Sequence, residues 1–232
     1  MVEEGADVID VGGASSRPGA STVPVAEELE RVGPVIEGIR SRSSVSLSVD
    51  TTRAAVARQA IEAGAQIVND VSALRFDPDL ASVVAESETF LIVMHMQGEP
   101  AMMQVAPSYV DPVGEIRDFL VERLAEAKRA GIRPDRLIVD PGIGFGKRLV
   151  HNLAILRDLE AFTTLGPPVL VGLSRKGFLG EILGLPPEER LEGTIAANAV
   201  AVARGADMIR VHDVKEGRRT ADVARRLRRD ET

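Results

Sequence analysis

The chain has 232 residues, of which 44% are hydrophobic and 27% are charged, and this composition predicts one large α/β domain spanning residues 1-232. Its net charge of −7, with positive residues scattered except near the C-terminus, gives little support for a nucleic-acid partner. No apolar run approaches the ~18 residues of a membrane span, the first residues do not form a signal peptide, and cysteine is absent, so we expect a cytoplasmic protein without disulfides or a membrane partner.

The predicted elements alternate short apolar strands with amphipathic helices along the chain. Seven strands are predicted, near residues 7-11, 45-50, 66-70, 90-95, 137-140, 169-173 and 207-212. Helical patterns lie between them, for example over 53-63 and 116-130. This alternation indicates parallel βαβ units.

Three segments, 4-10, 63-69 and 204-210, align without gaps. Each begins where a helical pattern ends in glycine and then enters an apolar strand. Each also places a polar residue five positions after the glycine, and these are Asp10, Asn69 and Arg210. The repeat supports the parallel arrangement of strands.

Polar residues follow nearly all of the predicted strands. They are Asp50, Asn69, His95, Asp140, Ser174 and His212. A doubly wound sheet concentrates its site at one switch point, whereas a TIM (β/α)8 barrel collects it from many strand ends, so the pattern favours the barrel. Such a barrel needs eight units, and the chain opens inside a helical pattern at residues 1-4, so we expect the first strand and its loop to be missing from this chain.

The segment 140-147, DPGIGFGK, resembles a nucleotide-binding loop but fits neither standard glycine spacing. Pro141 stiffens the chain, and the three glycines at 142, 144 and 146 let the backbone pass close to a ligand. Phe145 could pack against a planar ring. We therefore predict that this loop forms a floor for a flat ligand.

Asp50, Asn69 and Asp140 would converge at the mouth of a barrel. Two carboxylates and an amide suit a flat heterocycle with several N–H donors. The alternative is that Asp50 and Asp140 cap the helices that follow them.

Cationic residues flank this group at the first and last visible strands. Arg17, Arg210 and His212 could bind a pyrophosphate, and the glycine- and serine-rich loop 12-22 could act as a lid. Lys176, one of only four lysines, follows a strand and could contact the ring or a second substrate. His95 and His151 lack metal-ligand spacing and are interpreted as structural.

Seven motifs occur in one order along the chain. They are DVIDVGGASSRPGA (7-20), SVDTT (48-52), IVNDVSALR (67-75), MHMQGEP (94-100), DPGIGFGKRLVHN (140-152), GLSRKGFLG (172-180) and IRVHDVKE (209-216). With these motifs the chain resembles the dihydropteroate synthases over essentially its full length. The resemblance implies a TIM-barrel transferase of folate biosynthesis, a sulfonamide target, that joins 6-hydroxymethyl-7,8-dihydropterin pyrophosphate to p-aminobenzoate and releases pyrophosphate.

The resemblance also implies roles for individual residues. The pterin would be bound by Asp50, Asn69, Met94, Asp140, Phe145, Gly172, Lys176 and Arg210. The pyrophosphate would be bound by Arg17, Arg210 and His212, and p-aminobenzoate by Ser16, Arg17, Pro18, Ser174 and Lys176. The catalytic residues would be Asp50, Lys176 and Arg210.

The resemblance further implies Mg²⁺ on the pyrophosphate and a homodimer. The Asn that the family uses at the metal lies in the expected missing loop, so no metal ligand is expected in this chain, and Ala14 replaces the usual Glu. Two alternatives stay open: a truncated barrel that binds pterin without catalysis, and a methyltetrahydrofolate methyltransferase of the same barrel group. The methyltransferase should need a corrinoid partner and lack both the lysine loop at 172-177 and the arginine-histidine pair at 210-212.

Overall fold

The computed structural model describes residues 1–15, 19 and 23–228. The strands are β1 (Val8–Gly12), β2 (Ser46–Asp50), β3 (Ile67–Asp70), β4 (Phe90–Met94), β5 (Leu137–Asp140), β6 (Leu170–Gly172) and β7 (Met208–Arg210). All seven predicted strands are confirmed, each within two residues of the expected ends.

Helices follow the strands along the chain. They are α1 (Val25–Arg40), α2 (Ala54–Glu62), α3 (Leu80–Glu86), α4 (Pro112–Arg129), α5 (Leu149–Arg157), α6 (Glu160–Thr163), α7 (Gly177–Leu183), α8 (Leu191–Ala203) and α9 (Val214–Arg226), with 3-10 turns at Val2–Glu4, Pro134–Arg136 and Pro187–Glu189. Helix α4 starts at Pro112, four residues before the predicted helical pattern at 116-130, because proline is pre-organised for the first turn of a helix. No helix in the described part of the chain has the length and apolar character needed to cross a membrane.

The strands are parallel and lie side by side in chain order. Strands β1 to β5 form one ladder and β6 pairs with β7. An isolated bridge between Val139 and Val169 connects β5 to the chain entering β6, and the Val139 amide donates to the Pro168 carbonyl at 2.9 Å. Within the described residues no ladder joins β7 to β1, so the two strands at the ends of this order are held together by side chains.

Alternating strand residues pack into two apolar layers. One layer fills the inside of the barrel and consists of Val8, Ile67, Ile92, Ile138, Leu170 and Met208. The other lies between the strands and the surrounding helices and includes Val11, Val49, Val68, Val93, Val139 and Val171. Each fully buried apolar side chain stabilises the fold by about 1.5–3 kcal/mol. The outer layer extends from β1 to the start of β7.

Candidate active site

The candidate site is the second interior layer of the barrel, two residues further along each strand than the apolar one. Because side chains alternate between the faces of a strand, this layer is set by the same register. Its members are Asp10, Asp50, Asn69, Met94, Asp140, Gly172 and Arg210, with cross-strand pairs Asp50–Asn69, Met94–Asp140 and Gly172–Arg210. The structure therefore brings the strand residues of the predicted pterin site together, while their roles stay predictions.

Asp50 lies at the end of β2, opposite Asn69. Burial and next the negative charge of Asp10 raise the pKa of Asp50 to about 7, whereas Arg210 and the Asn69 side chain act in the opposite direction. The Asp50 carboxyl is therefore divided between its two protonation states near neutral pH. It can accept or donate a hydrogen bond there.

Asp10 belongs to the site although the sequence assigned it no role. Its Oδ2 lies 3.3 Å from Nε of Arg210, and its side chain is 24% exposed. The signal for Asp10 was the gapless repeat, which placed it at the position equivalent to Asn69 and Arg210.

Asn69 is completely buried. It lies near enough to lower the pKa of Asp50, yet neither its side-chain nitrogen nor its oxygen has a hydrogen-bond partner of standard geometry among the described residues. Leaving a buried amide unpaired costs about 1–3 kcal/mol. Both atoms are therefore available to a ligand that supplies a donor and an acceptor.

Asp140 is buried at the end of β5, and burial raises the pKa of its carboxyl against the opposing effects of Lys176 and of the Gly142 amide. Oδ1 accepts a hydrogen bond from the Gly142 N–H at 2.7 Å. Helix α5 begins only after Arg148, and α2 has no side-chain cap, so neither Asp140 nor Asp50 is a helix cap. The alternative interpretation as caps is wrong for both.

The glycine loop packs against the chain's own backbone. A Cβ on Gly142 would lie 1.9 Å from the carbonyl oxygen of His95, and one on Gly146 would lie 2.5 Å from that of Gln97. Both glycines have positive φ, +68° and +62°. The prediction that these glycines let the backbone approach a ligand is corrected: at 142 and 146 they let the loop dock on the segment after β4.

Lys176 lies above this loop. Its Nζ donates to the Ile143 carbonyl and sits 4.7 Å from the centroid of the Phe145 ring. Burial lowers the pKa of Lys176 to about 8, the Asp140 carboxylate opposes this shift, and Arg210 adds to it. Lys176, Asp140 and Arg210 therefore form one electrostatic group.

An apolar wall borders the same group. It consists of Val71, Met94, Met96 and Met103, with Phe145 packed against them. Met94, which the resemblance assigns to the pterin pocket, lies in this wall.

The loops after β6 and β7 meet through Ser174 and His212. The Ser174 hydroxyl oxygen lies 2.9 Å from Nδ1 of His212 and accepts the His212 backbone N–H at 3.2 Å. Beside them, Arg175 forms a bidentate ion pair with Asp213, in which Nε and one terminal nitrogen of the guanidinium each donate to a carboxylate oxygen. The residues predicted for p-aminobenzoate and pyrophosphate are thus neighbours here, while Ser16, Arg17 and Pro18 lie outside the described residues.

Lys147 and His95 are buried behind the loop. The Lys147 ammonium lies 2.9 Å from Nδ1 of His95 and donates to the Phe145 carbonyl at 2.9 Å. Burial lowers the pKa of His95 to about 2. His151 accepts the Arg148 backbone N–H at the start of α5, so both histidines have structural contacts, as predicted.

Known proteins are similar to this chain over nearly its whole length. A model of the pterin-binding enzyme family matches residues 1–212. A dihydropteroate synthase of Synechocystis sp. is 47% identical over 97% of this chain and 78% of its own length, and that of Escherichia coli K12 is 46% identical over 93% and 76%. The chain belongs to the dihydropteroate synthase family.

Solved structures of dihydropteroate synthases have the same fold. The Yersinia pestis enzyme in a sulfonamide drug complex matches with a TM-score of 0.95 and 41% identity, covering 98% of this chain and 82% of that one. The Xanthomonas albilineans enzyme with 4-aminobenzoic acid matches with a TM-score of 0.92 and 46% identity, covering 98% and 81%. The predicted TIM-barrel fold and transferase class are confirmed.

Proposed function

We propose that the chain condenses 6-hydroxymethyl-7,8-dihydropterin pyrophosphate with p-aminobenzoate, giving 7,8-dihydropteroate and pyrophosphate in folate biosynthesis. Membership of the dihydropteroate synthase family supports this reaction. The observation that carries it in this chain is one interior layer in which Asp50, Asn69 and Asp140 lie with Arg210, beside Lys176. Acceptors for a flat heterocycle and cations for a diphosphate thus face one space.

The pterin binds among the acidic and amide groups. Asn69 offers a donor and an acceptor that are otherwise unsatisfied. Gly142 engages only Oδ1 of Asp140, so Oδ2 is left to accept N–H groups from the amino-pyrimidine edge. Phe145, Met94 and Gly172 border the ring, and Lys176 donates to it.

The proposed reaction proceeds by departure of the pyrophosphate and not through a covalent bond to the protein. The C–O bond between the pterin methylene and the pyrophosphate breaks first, and the electron pair leaves with the pyrophosphate. Arg210 and His212, with Arg17, bind the charge that develops on it. The p-aminobenzoate nitrogen then attacks the methylene cation, forms the C–N bond and releases a proton to solvent. Asp50 and the Asp140 carboxylate stabilise the cationic pterin between the two steps.

The second substrate enters beside Ser174. The Ser174–His212 contact supports placing p-aminobenzoate next to the pyrophosphate side of the pterin. Ser16, Arg17, Pro18 and Lys176 complete the border of this subsite. A sulfonamide, which resembles p-aminobenzoate, competes for the same place.

Mg²⁺ on the pyrophosphate remains part of the proposal. In the described residues no three His, Cys, Asp or Glu side chains are grouped so that they could hold a metal ion. The residues present therefore do not form a metal site by themselves, and no step of the reaction is assigned to Mg²⁺.

We also propose a homodimer. Ile182 and Leu183 on α7 and Val200 on α8 are between 44% and 52% exposed. The two helices touch, because a Cβ on Gly193 would lie 2.8 Å from Leu183 Cδ1, and Val200 lies two turns after Gly193. Sedimentation equilibrium of the Val200→Glu variant, compared with the unchanged chain, tests whether this face forms the dimer.

We also propose a cytoplasmic location, which cell fractionation tests.

A coupled experiment tests the function. The chain is incubated with the pterin pyrophosphate and p-aminobenzoate, and pteroate and pyrophosphate are measured together with pterin binding by isothermal titration calorimetry. Equal amounts of both products confirm the synthase. Pterin binding without pteroate identifies the non-catalytic barrel, and methyl transfer from methyltetrahydrofolate to a corrinoid protein identifies the methyltransferase. Absence of pterin binding overturns the reaction and the site together.

A further inference from the structure

We infer that Asp10 is a positioning residue of this site: its carboxylate holds Arg210 through Nε, so that the terminal guanidinium nitrogens are presented to the diphosphate of the substrate. This inference rests on the proposed function. Asp10 is acidic and lies near a group of residues proposed to bind a strongly anionic diphosphate, so its negative charge would oppose that binding unless it were paired with Arg210.

The register of β1 fixes where Asp10 lies. Val8 belongs to the inner apolar layer and Val11 to the outer one, so Asp10 faces the inside of the barrel with Val8. It is the cross-strand neighbour of Ser48, and Gly12 is that of Asp50. By this register the Asp10 backbone lies two residues below Asp50, and it is the contact with Arg210 and the effect on Asp50 that place the Asp10 side chain beside the residues proposed to bind the pterin.

The contact with Arg210 is made through one particular nitrogen. Oδ2 of Asp10 lies 3.3 Å from Nε, and the side chains of Arg210 and Asp10 are 31% and 24% exposed. Within the described chain, Asp10 is the only ion-pair partner of Arg210. An ion pair at Nε, the inner nitrogen of the guanidinium, leaves the two terminal nitrogens as a fork for two phosphate oxygens.

The Asp10–Arg210 pair is a polar contact between β1 and β7, next to the apolar contact layer that contains Val8 and Met208. No ladder joins β7 to β1 among the described residues, so backbone hydrogen bonds do not set the distance between Asp10 and Arg210. A second ion pair, between Asp7 and Arg218 of α9 at 3.1 Å, connects the same two regions from the outside. This second pair also joins an aspartate and an arginine, but its side chains are more exposed and lie outside the barrel.

Asp10 also contributes, after burial, to the raised pKa of Asp50. The groups that act on Asp50 are Asp10 on β1, Arg210 on β7, and Asn69 and Asp70 on β3. Removing the negative charge of Asp10 lowers the pKa of Asp50 directly. It also frees Arg210 to approach Asp50, which acts in the same direction.

The experiment compares Asp10→Asn and Asp10→Glu with the matched control Asp7→Asn. For Asp10→Asn we expect kcat/KM for the pterin pyrophosphate to fall roughly tenfold or more, mainly through KM, with the KM of p-aminobenzoate unchanged. We expect the acidic limb of its pH profile to move to lower pH, because Asp50 ionises earlier. Asp10→Glu should recover part of the loss, and Asp7→Asn should behave as the unchanged chain. Equal losses in Asp7→Asn, or an Asp10→Asn variant with unaltered KM and pH profile, overturn the inference.

A readout independent of turnover separates this inference from the reaction itself. Carboxyl ¹³C NMR of the ligand-free protein follows the titration of Asp50, assigned by the signal that disappears in Asp50→Asn. A lower Asp50 pKa in Asp10→Asn but not in Asp7→Asn is expected even if no pteroate forms, in which case the proposed function fails alone. An identical Asp50 titration in both variants shows that Asp10 does not face the site. Thermal melting of each variant verifies that it is folded.

Discussion

The ammonium group of Lys147 lies 2.9 Å from Nδ1 of His95, and both side chains are buried beneath the loop that carries Phe145. Lys147 also donates to two backbone carbonyls, those of Phe145 and His95. The chain prefers arginine, with four lysines among its 28 Lys and Arg residues. Because the amino group of lysine is more compact than the planar guanidinium of arginine, we expect lysine to fit this enclosed space better.

Lys147→Arg should therefore lower the stability of the protein. Inserting the larger head group into packed space costs ~1–3 kcal/mol, and a chemical-denaturation curve measures the change. Lys128→Arg makes the same substitution at an exposed position of α4 and should leave the midpoint unaltered. Equal stability of the two variants would show that the space around Lys147 accommodates a guanidinium.

We expect His95 to make the stability of the fold sensitive to acid. Burial lowers its pKa from 6.5 to about 2, so between these pH values the unfolded chain binds a proton that the folded chain does not. The contribution of His95 is complete above pH 6.5 and is lost as the pH falls towards 2, at ~1.4 kcal/mol per pH unit.

The pH dependence of unfolding in His95→Gln measures this contribution. Buried carboxyls such as Asp140 titrate as well, so the difference between the two stability curves is the relevant quantity. We expect the difference in unfolding free energy between the two proteins to change by ~1.4 kcal/mol per pH unit below pH 6.5 and to be constant above it. Parallel curves from pH 7 to pH 4 would show that His95 is protonated in the folded chain.

Asp140 should determine pterin affinity. Asp140→Asn removes the charge that accepts the N–H groups of the ring, and a hydrogen bond to a charged group contributes ~1.5–3 kcal/mol. Calorimetric titration with a pterin measures the loss. Asp135→Asn is a matched control, since Asp135 lies just before β5 in an exposed pair with Arg133 and should not affect binding. An unchanged dissociation constant in Asp140→Asn contradicts the assigned role.

Lys176 should affect turnover and its upper pH limit. Lys176→Ala should lower kcat or raise the KM of p-aminobenzoate, because the ammonium borders both substrates. The pKa of about 8 predicts that activity declines as the pH rises through 8 and Lys176 loses its proton. Lys176→Arg should move that decline to higher pH, and Lys215→Ala, at an exposed position, should not. Wild-type kinetics in Lys176→Ala would remove this residue from the site.

Much of the site could be predicted from single strands. Ile67 and Asn69, or Ile138 and Asp140, are two residues apart, so apolar packing at one position fixes the direction of the polar side chain at the next. The Asp10–Arg210 pair could not be predicted in this way. It joins residues 200 positions apart across two strands without a common ladder, and periodicity contains no information about that distance. The docking of the glycine loop on the segment after β4 was missed for the same reason.

Gly142 provides the most direct test of that docking. Its φ is +68°, and an added Cβ would lie 1.9 Å from the His95 carbonyl oxygen. Gly184 has nearly the same φ, +69°, with no heavy atom within 4 Å of an added Cβ. Gly184→Ala therefore measures the backbone cost of a left-handed alanine, about 1 kcal/mol. Gly142→Ala measures this cost plus the collision of the added Cβ with the His95 carbonyl oxygen.

We expect Gly142→Ala to lose at least ~2 kcal/mol more than Gly184→Ala in denaturant unfolding. It should also weaken pterin binding, because Asp140 Oδ1 is held by the Gly142 amide. Equal losses of stability in the two variants would mean that the glycine loop does not pack against the segment after β4 in solution.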